Sequence, residues 1–188
     1  VTEDELSRTV MGLLSKKSKD YMGLNMSLIK NLMPNILAPL LDICNKSLQQ
    51  GIFPEKMKIA KVIPIFKTGD KSCFSNYRPI SLLPQFSKIL EKLFCNRLDS
   101  FLQKYDIICP NQYGFQKNHS TTAAVIELIE KITDNVEKKL ITAGIFIDLK
   151  KAFDTVNHEI LLRKREHYEI KGVAHEWVRS YLTNRHQY

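Results

Sequence analysis

"LITAGIFIDLKKAFD", residues 140–154, poses the question on which the fold turns. Leu140, Ile141, Ile145, Phe146, Ile147 and Leu149 give this run the length and composition of a fully buried strand. Asp148 sits near its end, and Asp154 follows six positions later. A buried carboxylate costs several kcal/mol unless something pairs with it, so the site must supply a cation, a hydrogen-bond network or water. Asp148 has three readings: a turn or helix-capping residue, a ligand for Mg²⁺, which takes hard oxygen donors, or an ion-pair partner of Lys150 or Lys151. In an extended strand Ile147 and Leu149 point opposite to Asp148. One face would then pack while the carboxylate looks into a cleft.

The totals narrow the class. A hydrophobic fraction of 44% in 188 residues supports a real core. No window of about 18 apolar residues spans a membrane. The chain starts at Val1 with the polar run "TEDELSRT", which carries no signal peptide to read, and the missing initiator Met points to a piece of a longer protein. Cys44, Cys73, Cys95 and Cys109 lie far apart with no C-x-x-C pair. That argues against a structural zinc site and suits reduced thiols in the cytosol or nucleus. Charge is uneven: residues 56–104 hold ten Lys or Arg against Asp70, Glu91 and Asp99, a net of +7 in a chain whose total is +8. Such a block is expected of a surface that meets phosphates, or of a solvated face.

Outward from the opening stretch, residues 27–51 read as helix, broken by Pro34 and Pro39 and ended by Gly51. Ile59, Val62, Ile63, Ile65 and Phe66 form a strand leading into the basic turn "KTGD", and "SNYRPISLLP" is a proline-bracketed extended segment. Residues 85–105 are amphipathic, with Phe86, Ile89, Leu90, Leu93, Phe94, Leu98, Phe101 and Leu102 on one face. A loop carrying Gly114 precedes a long helix capped by Ser120 or Thr121. Two further helices follow in 155–168 and 173–184, the first with Asp154 as its expected cap rather than a metal ligand. His158 in that helix reads as structural. The order implies an α+β or α/β chain whose sheet has too few strands to be complete.

Four blocks, in order, carry a resemblance. "IFIDLKKAFDTVNHEIL" is similar to motif A of reverse transcriptases, specifically those of non-LTR (LINE-type, jockey-like) retrotransposons. "IPIFKTGDKSCFSNYRPISLLPQFSKILEK" resembles the fingers motif of the same family, "NQYGFQKNHSTTAAV" its next block, and "YLTNRHQY" the segment just after the motif-A helices. The likeness runs from about residue 24 to residue 188.

The resemblance implies an α+β, right-hand polymerase piece: a helical extension over 1–55, fingers over 56–139, and over 140–188 the first part of a palm whose sheet is incomplete and has helices packed on it. It implies RNA-directed DNA synthesis by two-Mg²⁺ nucleotidyl transfer of dNTPs onto a primer 3′-hydroxyl. Asp148 would be the catalytic acid and a ligand of both ions, with the Leu149 carbonyl on the nucleotide-side metal. Lys67, Arg78, Leu149, Ala152 and Phe153 would bind the nucleotide, Phe153 as an aromatic gate against the 2′-hydroxyl. Gln112, Gly114, Phe115 and Lys117 would lie near the template. Lys61 and Lys71 read as solvated surface, while Lys88, Lys92 and Arg97 either track template backbone or form the wet side of their helix. The implied partners are an RNA template and a DNA primer, with no membrane and with an endonuclease domain elsewhere in a parent polyprotein. The implied setting is a cytoplasmic or nuclear ribonucleoprotein with the element's RNA. Two departures stand out. Asn118, His119 and Ser120 replace the Gly-Arg-Ser of many relatives, and no Y-x-D-D acid pair follows Asp148. The expectation is therefore that the 188-residue piece alone does not polymerise. The alternative is a non-catalytic nucleic-acid-binding remnant that keeps its basic fingers; a plain helical interaction domain is a third reading.

Overall fold

The computed structural model describes residues 1–149 and 151–188, so the Lys150 option for Asp148 lies outside the described residues. The elements are α1 (Glu3–Gly12), α2 (Met26–Gln50), β1 (Ile59–Phe66), β2 (Tyr77–Leu82), α3 (Gln85–Lys104), α4 (Thr121–Glu137), α5 (His158–His167), α6 (Val173–Leu182) and β3 (His186–Gln187). The chain is thus mixed α+β. It divides into two compact units, residues 1–99 with 157–188 and residues 100–156. Among the described residues no helix is long and apolar enough to cross a membrane.

The discontinuous unit holds the core. Leu6 and Val10 of α1, Ile29, Met33, Leu40 and Cys44 of α2, and Ile89, Leu90, Leu93 and Phe94 of α3 pack with Phe53 and Trp177. The expected break in α2 does not occur: one helix runs through Pro34 and Pro39. An interior proline costs about 3 kcal/mol, and burial of the Ile29–Cys44 stripe offsets it. Local chemistry sets the ends. Asn25 Oδ1 accepts the Leu28 N–H at 2.9 Å, and Gly51 closes the helix in the left-handed region at φ 70°. A Cβ on Gly51 would lie 3.0 Å from the Val173 carbonyl, so only glycine lets the start of α6 come this close.

Trp177 of α6 ties the chain's last segment to its first. Its indole stacks on Phe94 with centroids 4.2 Å apart and parallels Tyr181 at 5.7 Å, while Phe53 meets it edge-on at 5.3 Å. The indole N–H donates to Ser47 Oγ at 3.0 Å, and that hydroxyl donates to the Ile52 carbonyl at 2.6 Å. Beside this stack, burial raises the Glu91 carboxyl pKa although Ser87 and Arg185 lie against it. Burial, then the Glu91 charge, pushes Tyr181 up to about 12. A second fastener is Asp20, whose carboxylate accepts the N–H groups of Met22, Leu24 and Gln85 at 2.9–3.0 Å. It caps α3 from a distant loop.

β1 and β2 form an antiparallel hairpin in the register Phe66↔Tyr77, Pro64↔Pro79 and Lys61↔Leu82. β3 runs parallel to β1 on its other side, Val62 N–H donating to the Tyr188 carbonyl at 2.8 Å. The two prolines sit at ladder positions that need no donor between β1 and β2. Lys67 N–H donates to the Asn76 carbonyl, so the ladder bonds between β1 and β2 fall on odd residues of β1. Pro64 therefore lacks its donor on the β3 side, just past the last bond there, and Pro79 lacks its donor on the free outer edge of β2.

In residues 100–156, Ser120 Oγ caps α4 by accepting the Ala123 N–H at 3.0 Å, as the sequence suggests. None of the described residues in this unit is buried. The expected buried strand at 140–149 is corrected here: those residues are irregular and open, with Ile141 99%, Ile147 83% and Leu149 70% exposed. The sheet lies at residues 59–66, 77–82 and 186–187 instead. A strand is stable only beside neighbours that satisfy its backbone and cover its side chains. Among the described residues none pairs with 140–149. The expected capping role of Asp154 is also corrected. Asn157 caps α5, its Oδ1 accepting the Ile160 N–H at 3.1 Å, because the helix begins at His158, four residues after Asp154. His158 is exposed at that helix start.

Replacing Trp177 by Ala should destabilise the chain by about 3–5 kcal/mol, as for other buried aromatic truncations. Urea unfolding followed by circular dichroism checks this; a loss below about 1 kcal/mol would show that the stack does not close the core.

Candidate functional site

Lys67 and Arg78 sit at the hairpin. Directly opposed residues of a ladder share a face, so Arg78 stands with Ile65 and Ile63 with Ile80, while Phe66, Tyr77, Pro64 and Pro79 occupy the reverse face. Alternation places Lys67 on the Arg78 side. Both cations are exposed, and among the described residues no carboxylate pairs with either. The hairpin thus presents two uncommitted cations on one face, a fit for phosphate oxygens.

The connecting loop is built by its own hydrogen bonds. Asp70 Oδ1 accepts the Ser72 N–H at 2.9 Å, which lowers the Asp70 pKa. Asn76 Nδ2 donates to the Asp70 carbonyl at 2.9 Å, and Tyr77 Oη donates to the Lys71 carbonyl at 2.9 Å. Gly69 has φ 96°, and a Cβ there would lie 2.7 Å from Asn76 Nδ2. At the tip Cys73 Sγ meets Ser75 Oγ at 3.0 Å, which lowers the thiol pKa.

Other basic side chains are committed elsewhere. Arg97, expected either along a template backbone or on the wet side of its helix, forms a two-pronged pair with Glu5 of α1, Nη1 to Oε1 at 2.6 Å and Nη2 to Oε2 at 2.9 Å. Lys58 is buried and bound to Glu55 at 2.5 Å. Sequence reasoning missed Glu5, since nothing in the sequence spacing links it to a residue on α3.

Residues 100–156 carry the remaining candidates. Asp148, Ala152 and Lys117 are exposed, and so are Leu149 and, at 78%, Phe153. Phe115, at φ 62°, meets Phe153 edge-to-face with centroids 6.0 Å apart, which brings the expected gate and the expected template loop together. Gln112 Nε2 donates to the Gly114 carbonyl at 3.3 Å, and the Gln112 carbonyl lies 3.2 Å from His119 Nδ1. Among the described residues nothing comes within 4 Å of a Cβ on Gly114. Among the described residues no three His, Cys, Asp or Glu side chains form a metal-binding group. The donors at Asp148 and Leu149 nevertheless fit Mg²⁺ in kind, a carboxylate and an adjacent carbonyl, because that ion is held by one or two carboxylates with phosphates and water completing its shell.

Comparison with known proteins decides the family. Residues 65–188 match the reverse transcriptase (RNA-dependent DNA polymerase) family. The chain belongs to that family. It is 33% identical over 162 residues, 86% of its length, to the "Probable RNA-directed DNA polymerase from transposon BS" of Drosophila melanogaster. It is 34% identical over 165 residues to the "RNA-directed DNA polymerase from mobile element jockey" of the same fly. A third relative, at 29% over 162 residues, is the "Putative 115 kDa protein in type-1 retrotransposable element R1DM". The chain spans only 18% of the length of each of the first two. In this reverse transcriptase segment the basic hairpin belongs to one unit and Asp148 to the other.

Iodoacetamide should alkylate Cys73, exposed with a lowered pKa, well ahead of Cys44, which burial pushes up to about 12. Peptide mass spectrometry over time reads the order, and Ser75→Ala should slow Cys73. Equal rates for Cys73 and Cys44 would contradict the loop geometry.

Proposed function

We propose that this chain supplies the fingers and the first part of the palm of an RNA-directed DNA polymerase from a non-LTR element. Within it, 1–55 is a helical extension, 56–139 the fingers and 140–188 the start of the palm. The observation that carries the reading is the family match across 65–188, which takes in both the Lys67–Arg78 hairpin and Asp148. The exposed apolar run 140–149 supports it as well, since a palm strand awaiting its neighbours has this composition.

Asp148, with the Leu149 carbonyl, would hold Mg²⁺ against a dNTP. Bound there, the ions lower the pKa of the primer 3′-hydroxyl and neutralise the triphosphate. Lys67 and Arg78 bind the β- and γ-phosphate oxygens, Arg78 in two-pronged fashion. Ala152 lines the nucleotide, and Phe153 closes the space a 2′-hydroxyl would need, so the site takes deoxynucleotides. Gln112, Gly114, Phe115 and Lys117 line the template side. The RNA template, the DNA primer, an endonuclease domain elsewhere in the parent polypeptide and a ribonucleoprotein setting belong to the same proposal. One carboxylate does not hold two ions in place, so the 188-residue piece alone is inactive. The remnant reading needs only the exposed basic hairpin, and retained RNA binding by a full-length polypeptide that makes no DNA would favour it.

In the parent polypeptide, Asp148→Asn should cut primer extension on an RNA template by about 10³-fold or more, the loss expected when several kcal/mol of metal-borne stabilisation go. RNA affinity should be unchanged. Phe153→Ala should admit ribonucleotides while keeping dNTP incorporation. Extension that survives Asp148→Asn would refute the assignment.

A further inference from the structure

The hairpin has a second face, opposite Lys67 and Arg78, which the proposed nucleotide site does not use. There Pro64, Lys71, Phe74, Tyr77 and Pro79 line an open cleft of about 350 Å³, within the range of small-ligand clefts. Phe74 is 94% exposed at its rim. A solvated phenyl ring on a loop otherwise held by hydrogen bonds contributes nothing to the core, yet its backbone is fixed. Cys73 N–H donates to the Asp70 carbonyl, Asn76 N–H to the Cys73 carbonyl, and Tyr77 Oη to the Lys71 carbonyl. The cleft floor is flat and rigid: the two prolines face each other across the ladder, and Phe66 meets Tyr77 at 5.5 Å between centroids. Lys71 Nζ stands 5.8 Å from the Phe66 ring centre. The one carboxylate of the loop, Asp70, is turned onto the Ser72 N–H.

A planar ring, a proline floor and an ammonium group at the rim, within a block of net charge +7, together fit one ligand. We propose that this face stacks an unpaired base of a single-stranded nucleic acid on Phe74, with Lys71 on the adjoining phosphate. Bases stack on exposed aromatic rings whatever their identity, and a cation beside the ring fixes the backbone. The hairpin would then separate two ligands, nucleotide phosphates on the Arg78 face and an unpaired strand on the Phe74 face. This deepens the template side of the proposed function and rests on it for the identity of the strand.

The test is fluorescence anisotropy of the 188-residue chain with a 5′-fluorescein 12-mer of oligo(U), and with an abasic 12-mer of equal charge. Phe74→Ala, a substitution at an exposed position, should weaken oligo(U) binding by roughly 5- to 150-fold, the worth of one stacked base, and leave abasic binding unchanged. Phe74→Tyr should restore it. Lys71→Gln should weaken both probes and reduce the salt slope by about one, as for a single phosphate contact. Unchanged oligo(U) affinity in Phe74→Ala would overturn the stacking site. So would an equal loss on both probes, because the ring would then be acting on the loop's shape. Neither result bears on Asp148-dependent primer extension, so failure here is separable from failure of the polymerase reading.

Discussion

The indole of Trp177, held between Phe94 and Tyr181 with its N–H on Ser47, is the interaction on which the rest depends. It joins α6 to α2 and α3 and so closes a unit made from the two ends of the chain. Every buried apolar side chain of the described core belongs to that unit. Residues 100–156 are therefore an insertion whose ends are anchored but whose own apolar groups, on α4 and along 140–149, stay uncovered. Asp148, the acid proposed to hold Mg²⁺, lies in this uncovered stretch. Apolar burial is worth about 25 cal/mol per Å², so a segment that buries so little draws little stability from its own packing.

Backbone donors shape the hairpin. Pro64 and Pro79 face each other at a ladder position where neither owes an N–H to its partner strand, so the hairpin keeps its bonds while both outer edges lose a donor. On the outer side, Pro79 protects β2 from edge pairing. The same opposition splits the hairpin into a face with Arg78 and a face with Tyr77, which lets one small element offer cations on one side and rings on the other.

Much of this was legible in the sequence because it is governed locally. The caps at Ser120 and Gly51, the amphipathic face of α3 and the strand at 59–66 follow from neighbouring residues alone. The motif order gave the family. What the sequence hid depends on distant partners. Composition alone marks 140–149 as a buried strand, but burial needs a neighbour that no residue within the run can supply. Prolines 34 and 39 predict a break that packing of the Ile29–Cys44 stripe overrides. Arg97 looks free until α1 brings Glu5 to it. Nothing in the sequence singles out Phe74; its exposure and the cleft beside it mark it out.

Amide hydrogen exchange of the 188-residue chain, resolved by peptide mass spectrometry, tests this division most directly. Peptides from α2, the first turns of α3 and α6 should be strongly protected, while those covering 140–149 should exchange nearly as fast as an unstructured peptide. Protection of 140–149 equal to that of α2 would contradict the account, because the run would then be a covered strand with a partner inside this chain.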